Sequence, residues 1–593
     1  MKTAFSIDAR RIIVDYSSVY CETVEKLLKS KPFEYILQRY LQKLAQRESP
    51  IYDYFSCCYN SDDKLSMYKD LIAVLRLLTT YRINEIVELN TRYAQLLQDG
   101  KLVYEFVEGL YDFWRSYERY IIMTAPKTKL RTRDSIHHAQ FIKANETLRQ
   151  LILRTYRTIC ENLIEQPFRV YRQLPAGAHI GLLTQTIEWD CPVEYQAIQS
   201  IPFIRLALLE PPVIFYPRMN KRSGLFNEVL ENPLSDLNIQ PEEWFCYPAK
   251  IGKTLAFAYF HQSFMSQGAS LANLFELAQY EDIVGKKPDL ILMFGAPQLQ
   301  YTNDLAIFHH DRQNQVLVGY EVNTTKIDYF GYMKKMLLTL HNVTMLERNR
   351  LPLHGAMVSI RLKSKASANV IIIGDSGAGK SETLEAFRIL AQEYISDMTI
   401  IFDDMGSIEF ANNEFKAFGT EIGAFLRLDD LQPGYAFEQL DRSIFMSPNL
   451  TNARVILPVT KYSKIIQGTS IDYFLYANNY EKVNEKKPAI EVFDSPDQAL
   501  EVFNTGKRIA KGTTSEKGLV ESYFANPFGA PQRKTQHETL AINYINKMFK
   551  LNIIVGQIRT QLGREGYEQK GPQEAARALF ANISKNLKLE SGQ

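Results

Sequence analysis

Cysteine is scarce in this chain. Its 593 residues hold six, Cys21, Cys57, Cys58, Cys160, Cys191 and Cys246, with no CxxC pair among them. That scarcity argues against a disulfide framework or a zinc knuckle and fits a reducing compartment, so the expected location is cytoplasmic. Long apolar runs are lacking too. None approaches the ~20 residues that a bilayer span needs, so no membrane association is expected. Met1 to Ile13 carries charges where a signal peptide would be apolar. Neither sign of charge is in excess. Lys plus Arg number 69 against 67 for Asp plus Glu, a formal net charge of +2. Such a balance gives no global field to attract nucleic acid or an anionic membrane. We find no internal repeat and no low-complexity segment. Proline is nearly missing from the first 165 residues, where only Pro32, Pro50 and Pro126 occur.

The most informative stretch present is Val370-Ile-Ile-Ile-Gly-Asp-Ser-Gly-Ala-Gly-Lys-Ser-Glu382. It opens with four aliphatic residues, which predict a buried strand. A glycine-rich turn follows, then an apolar-periodic run from Leu384 to Leu390 that predicts a helix. Strand, loop and helix are the context of a phosphate-binding P-loop of the GxxxxGK[ST] type. Gly374, Gly377 and Gly379 let the backbone turn tightly around Asp375, Ser376 and Ala378 and aim its N–H groups inward. Lys380 brings a point charge to the phosphates. Ser381 offers a hydroxyl to a divalent cation, and Glu382 follows in the new helix, whose positive end faces the anion.

The chain is too long for one core, so two to four domains are expected. In residues 1–165, apolar residues recur at helical spacing, as in Leu71 to Leu78 and Phe106 to Ile122. This segment is expected to be all-α, a helical bundle without a catalytic constellation. Its basic run 127–133 reads as a solvated linker. Prolines then cluster and short β-rich runs appear, including Val213–Tyr216, Leu255–Phe260, Leu290–Phe294 and Val316–Val322. Residues 166–350 are therefore read as an α/β domain, and 351–593 as a second one built around the P-loop.

Downstream lies Thr399-Ile-Ile-Phe-Asp-Asp-Met405, a hydrophobic strand ending in acid. Asp403 or Asp404 would emerge beside the phosphates and hold a metal ion. Upstream lie Asp328-Tyr-Phe-Gly-Tyr-Met-Lys-Lys335 and Leu351-Pro-Leu-His354. Adjacent lysines usually sit on a solvated helix, and a lone histidine is usually structural, so chemistry alone does not single them out.

The order of these segments resembles that of phosphoenolpyruvate carboxykinases. That family carries a pattern near YxGEMKK, then a histidine step, the P-loop and an Asp-Asp strand. Asn452-Ala-Arg-Val-Ile-Leu-Pro458 resembles its arginine motif. Gly512 to Glu521 and Phe524 to Pro531 resemble its nucleotide-side loop and FGAPF segment. The resemblance spans about 290–585 and implies a two-lobed catalytic core. By this likeness Lys335, His354 and Asp404 would ligate Mn²⁺, while Lys334 and Tyr329 would face the substrate. Ser381, with Lys380 and Asp403, would serve phosphate and Mg²⁺. Arg454 would bridge the transferring phosphoryl group, Lys517 would contact phosphate, and Arg222 would hold a substrate carboxylate. The implied reaction interconverts oxaloacetate and a phosphoryl donor with phosphoenolpyruvate and CO₂.

The sequence also departs from that family. Tyr332 stands where the family has Glu, and the P-loop ends Lys-Ser-Glu, which resembles HPr kinase/phosphorylase. The base-pocket segment Asp472 to Tyr480 is only loosely similar, and Val555 to Arg559 replaces a family motif. ATP and pyrophosphate both stand as donors. The alternatives are an HPr-kinase-like protein kinase/phosphorylase and a non-catalytic nucleotide-binding regulator. Residues 1–165 would serve docking or self-association.

Overall fold

Two kinds of hydrophobic run decide the architecture: helical stripes, and short β-branched runs buried on both faces. The computed structural model describes residues 5–17, 21–59, 64–89, 91–125, 134–164, 170–171, 173–222, 224–235, 237–363, 366–375, 377–390, 395–428, 439–510 and 518–590. Ser376, Lys517 with residues 512–516, Ser223 and the basic run 127–133 lie outside them. The protein is mixed α/β and divides into two units. One comprises 1–185 and 204–210, the other 186–203 and 211–593. Among the described residues, no helix is long and apolar enough to cross a membrane.

The first unit, whose residues 1–165 are expected to be all-α, holds strands as well as helices within them. Its helices include Lys31–Gln46, Lys64–Leu77, Gly100–Arg115 and Asp134–Ile164, but a sheet runs through it. Strand Arg11–Asp15 lies parallel to Glu118–Thr124, which lies parallel to Ile180–Gln185. The periodicity from Phe106 to Ile122 therefore breaks in two. The helix stops at Arg115, capped at its start by Asp99, whose carboxylate accepts from the Leu102 N–H at 3.0 Å. The rest becomes a central parallel strand. The β-branched pair Ile121-Ile122 suits it, and Glu118 through Ile122 are buried. Parallel strands covered on both faces read as continuous apolar runs, which short helical segments imitate. The helical core centres on Leu37, Leu41, Phe55, Leu78 and Phe106, all fully buried.

In the second unit, one sheet orders Trp244–Ile251, Thr254–His261, Leu290–Ala296, Val316–Val322, Ala306–Asp311 and Asn227–Val229. Helix Phe330–Glu347 lies on it so closely that a Cβ on Gly319 would stand 2.6 Å from Met336 Cγ. A second sheet orders Glu414–Gly419, Met405–Ala411, Leu351–Leu362, Ser367–Ile373, Tyr473–Asn478, Ile554–Arg559 and Ile490–Val492. Its strands alternate strictly. Ile371 and Ile373 join one core, Val370 and Ile372 the core on the opposite face. A smaller sheet pairs Gly423–Arg427 with Arg454–Pro458, then Ile444–Met446 and Val213–Phe215.

One junction positions the site. Strand Leu351–Leu362 takes two antiparallel partners in succession, Met405–Ala411 on its first half and Ile395–Phe402 on its second. Asp403 and Asp404 are the link between those partners, and the Gly355 N–H donates to the Asp404 carbonyl at 2.9 Å. On the other side Gly355 is in register with Ile373, the last residue before the glycine-rich turn. The turn, the acidic pair and His354 thus meet at one end of neighbouring strands.

Candidate functional site

The turn after Ile373 is held from several sides. Gly377 and Gly379 adopt φ values of 76° and 90°, which a side chain would strain. A Cβ on Gly379 would also stand 2.6 Å from Thr560 Oγ1. Thr560 donates to the Ala378 carbonyl at 2.7 Å, and Asn479 to that of Gly377 at 3.0 Å. Arg508 grips Asp375 Oδ2 through Nε and Nη2, both at 3.0 Å. Helix Lys380–Leu390 starts immediately. Lys380 is buried and folds back, donating to the Gly374 carbonyl at 2.6 Å and that of Asp375 at 3.2 Å. Ser381 Oγ donates to Asp403 Oδ1 at 3.0 Å, and Glu382 lies in the first helical turn.

Beside the turn lies a buried charge cluster. Lys334 Nζ is 2.5 Å from Asp404 Oδ2 and 3.0 Å from Glu421 Oε1. Burial alone would raise the Asp404 carboxyl, but Lys334 and His354 hold it well below the usual carboxylate range. Burial alone would likewise lower Lys334, yet its two carboxylates keep it above the ordinary lysine value. Burial pushes Glu421 up, to about 7, against the pull of Lys334.

His354 Nδ1 is 2.5 Å from the Ala525 carbonyl, and its Nε2 is 3.0 Å from Asp404 Oδ1. If Nδ1–H donates to that carbonyl, Nε2 turns a lone pair toward a carboxylate oxygen. Two facing acceptors require a proton or a cation between them.

The two adjacent lysines have different surroundings. Lys334, expected to face substrate, makes the ion pair with Asp404; Lys335 does not. Adjacent residues on a helix point about 100° apart. The neighbouring position therefore sends Lys335 to another side, 4.9 Å from the centre of the Phe528 ring. That ring lies 5.8 Å from the imidazole of His354. Burial, aided by Arg222, lowers Lys335 to about 8.

Phe425 gathers the remaining groups. Tyr329, Lys334 and Arg454 lie 5.9, 5.8 and 5.3 Å from its ring centre. Arg454 opens its strand and interacts with the Tyr329 hydroxyl. Arg222 packs 4.6 Å over Phe226 and donates to the Gly224 carbonyl at 2.6 Å. Burial lowers it, while the Glu321 carboxylate opposes that shift. Glu321 is fully buried, and its oxygens have no hydrogen-bond partner among the described residues.

Two acidic residues here were missed in the sequence. Glu321 carried a signal, as the lone charge in Val316–Val322. Glu421 carried none. It reaches Lys334 because Gly406 pairs with Gly419 and the Thr420 N–H donates to the Met405 carbonyl at 3.1 Å.

Among the described residues, no group of three or more His, Cys, Asp or Glu side chains is placed to hold a metal ion. The candidate donors are instead an amine, an imidazole and a carboxylate. No protein-family model and no curated protein matches this chain.

Proposed function

We propose that the second unit is a phosphoenolpyruvate carboxykinase-like enzyme with a P-loop and a two-lobed core. It would interconvert oxaloacetate and a phosphoryl donor, ATP or pyrophosphate, with phosphoenolpyruvate and CO₂. One observation carries the reading. The phosphate-type turn, through Ser381 and Asp403, and the His354–Asp404 contact at 3.0 Å meet at a single strand junction.

The donor chemistry fits a transition ion. Burial lowers Lys335 to about 8, toward the neutral amine that can act as a ligand, and His354 Nε2 and Asp404 Oδ1, 3.0 Å apart, would add an imidazole and a carboxylate to it. Lys335, His354 and Asp404 would hold Mn²⁺, and Ser381 with Asp403 would hold Mg²⁺ beside phosphate. Bound there, such ions supply Lewis-acid stabilisation of negative oxygen.

The protein's own groups account for the rest. Loop N–H groups and Lys380 seat the polyphosphate. Arg454 neutralises the transferring phosphoryl group with a planar fork, while Tyr329 orients that fork. Arg222 takes a substrate carboxylate. Lys334 fixes Asp404 and leaves its Oδ1 toward His354. Glu421 supplies Lys334 with a second carboxylate, although Tyr332 occupies the position of the family's Glu.

Incubation with Mn²⁺, oxaloacetate and either ATP or pyrophosphate should yield phosphoenolpyruvate. If neither donor yields it while the protein still binds polyphosphate, the HPr-kinase-like reading takes its place. That second reading draws on one observation: Asp404 and Glu421 already engage Lys334, which leaves the glycine-rich turn with Ser381 and Asp403 to serve phosphate without it.

A further inference from the structure

The first unit contains a cavity of about 130 Å³ that the proposed reaction does not use. Its walls are apolar, and one of them is a stacked pair. The Tyr111 and Tyr156 rings lie 3.9 Å apart and 8° from parallel. Trp114 and Val107 line it as well.

Four of the polar side chains on these walls are engaged elsewhere. Thr155 Oγ1 donates to the Leu151 carbonyl at 2.7 Å, and Ser30 Oγ accepts from the Phe33 N–H at 3.3 Å. Trp114 Nε1 donates to the Ala176 carbonyl at 2.8 Å, and the Tyr156 hydroxyl donates to Glu108. An ordered water needs two to four polar partners, which these walls do not offer. A dry apolar cavity of roughly 150 Å³ accommodates benzene. Flat aromatic walls favour an aromatic guest in offset or edge-on contact.

We propose that this cavity is a binding site for an uncharged, single-ring aromatic compound. Among the described residues, none that lines the cavity is charged, so a charged analogue would meet the cost of burying an ion without a partner on these walls.

The test uses the full chain and bromobenzene, whose heavy atom quenches an indole that it touches. The chain has three tryptophans, and only Trp114 lines the cavity. Quenching should saturate, and toluene should reverse it while benzoate does not. The saturable part should vanish in Trp114→Phe, and equally in Val107→Phe, which fills the cavity with Trp114 intact. Quenching that never saturates, that benzoate reverses as well as toluene, or that persists in both folded variants overturns the proposal. Should either variant fail to fold, the toluene and benzoate competition in the unaltered chain decides alone.

Discussion

Ser381 and Asp403 are 22 residues apart in sequence, yet the hydroxyl of one donates to the carboxylate of the other at 3.0 Å. The contact ties the start of the helix after the glycine-rich turn to the end of the acidic strand. In the proposed enzyme both side chains would turn to a cation on the phosphate. Ser381→Ala should therefore cost the fold only about 1 kcal/mol, the usual net worth of one hydrogen bond. It should weaken Mg²⁺-dependent pyrophosphate binding by about tenfold or more, as loss of a preorganised polar contact does. Calorimetric titration alongside thermal melting separates the two effects. Unchanged affinity would remove Ser381 from the site.

Lys334 carries the opposite balance. It is buried between Asp404 and Glu421, and removing one partner leaves two buried carboxylates without their cation. Lys334→Met should destabilise the protein by about 3–5 kcal/mol in denaturant unfolding. Adding Glu421→Gln should recover part of that loss. A single-variant cost under about 1 kcal/mol would place Lys334 at the solvated surface instead.

Lys335 makes a pH prediction. Burial holds it near 8 in the folded protein, below its ordinary value of about 10.4. Between those values the unfolded chain holds the extra proton, so this residue's contribution makes stability rise with pH across that window. The neutral amine is also the ligand form, so Mn²⁺ affinity should climb as pH approaches 8 and then level off. Lys335→Met should flatten both profiles. Mn²⁺ affinity independent of pH in the unaltered protein would exclude Lys335 as a ligand.

Glu321 is pushed well above the usual carboxylate range by burial, against the pull of Arg222. A raised folded value adds stability at low pH that is lost as pH rises past the unfolded value. Glu321→Gln should remove that loss and leave the neutral-pH fold at least as stable. Destabilisation by more than about 2 kcal/mol would show that the carboxylate itself is required.

The strands around the candidate site were legible because local and tertiary preferences agree. Val370 to Ile373 carries its strand in its own composition, and the turn glycines prescribe the positive φ values at Gly377 and Gly379. The strand at Glu118–Thr124 was not legible, because five buried residues fit a helix stripe as well as a covered parallel strand. Only pairing with Arg11–Asp15 and Ile180–Gln185 decides between them. The division of labour between Lys334 and Lys335 was hidden for a similar reason. Sequence places both on one helix, but which of them meets Asp404 depends on helix rotation and on Glu421, which arrives through a distant strand pairing.

The most direct measurement of the central claim is carboxylation of phosphoenolpyruvate. The full chain is supplied with Mn²⁺, bicarbonate and either ADP, GDP or inorganic phosphate, and oxaloacetate is followed by coupled reduction to malate. The proposed enzyme forms oxaloacetate with one acceptor and loses that activity in Lys335→Ala and His354→Ala. Oxaloacetate absent with every acceptor, in a protein that still binds ATP or pyrophosphate, would contradict it.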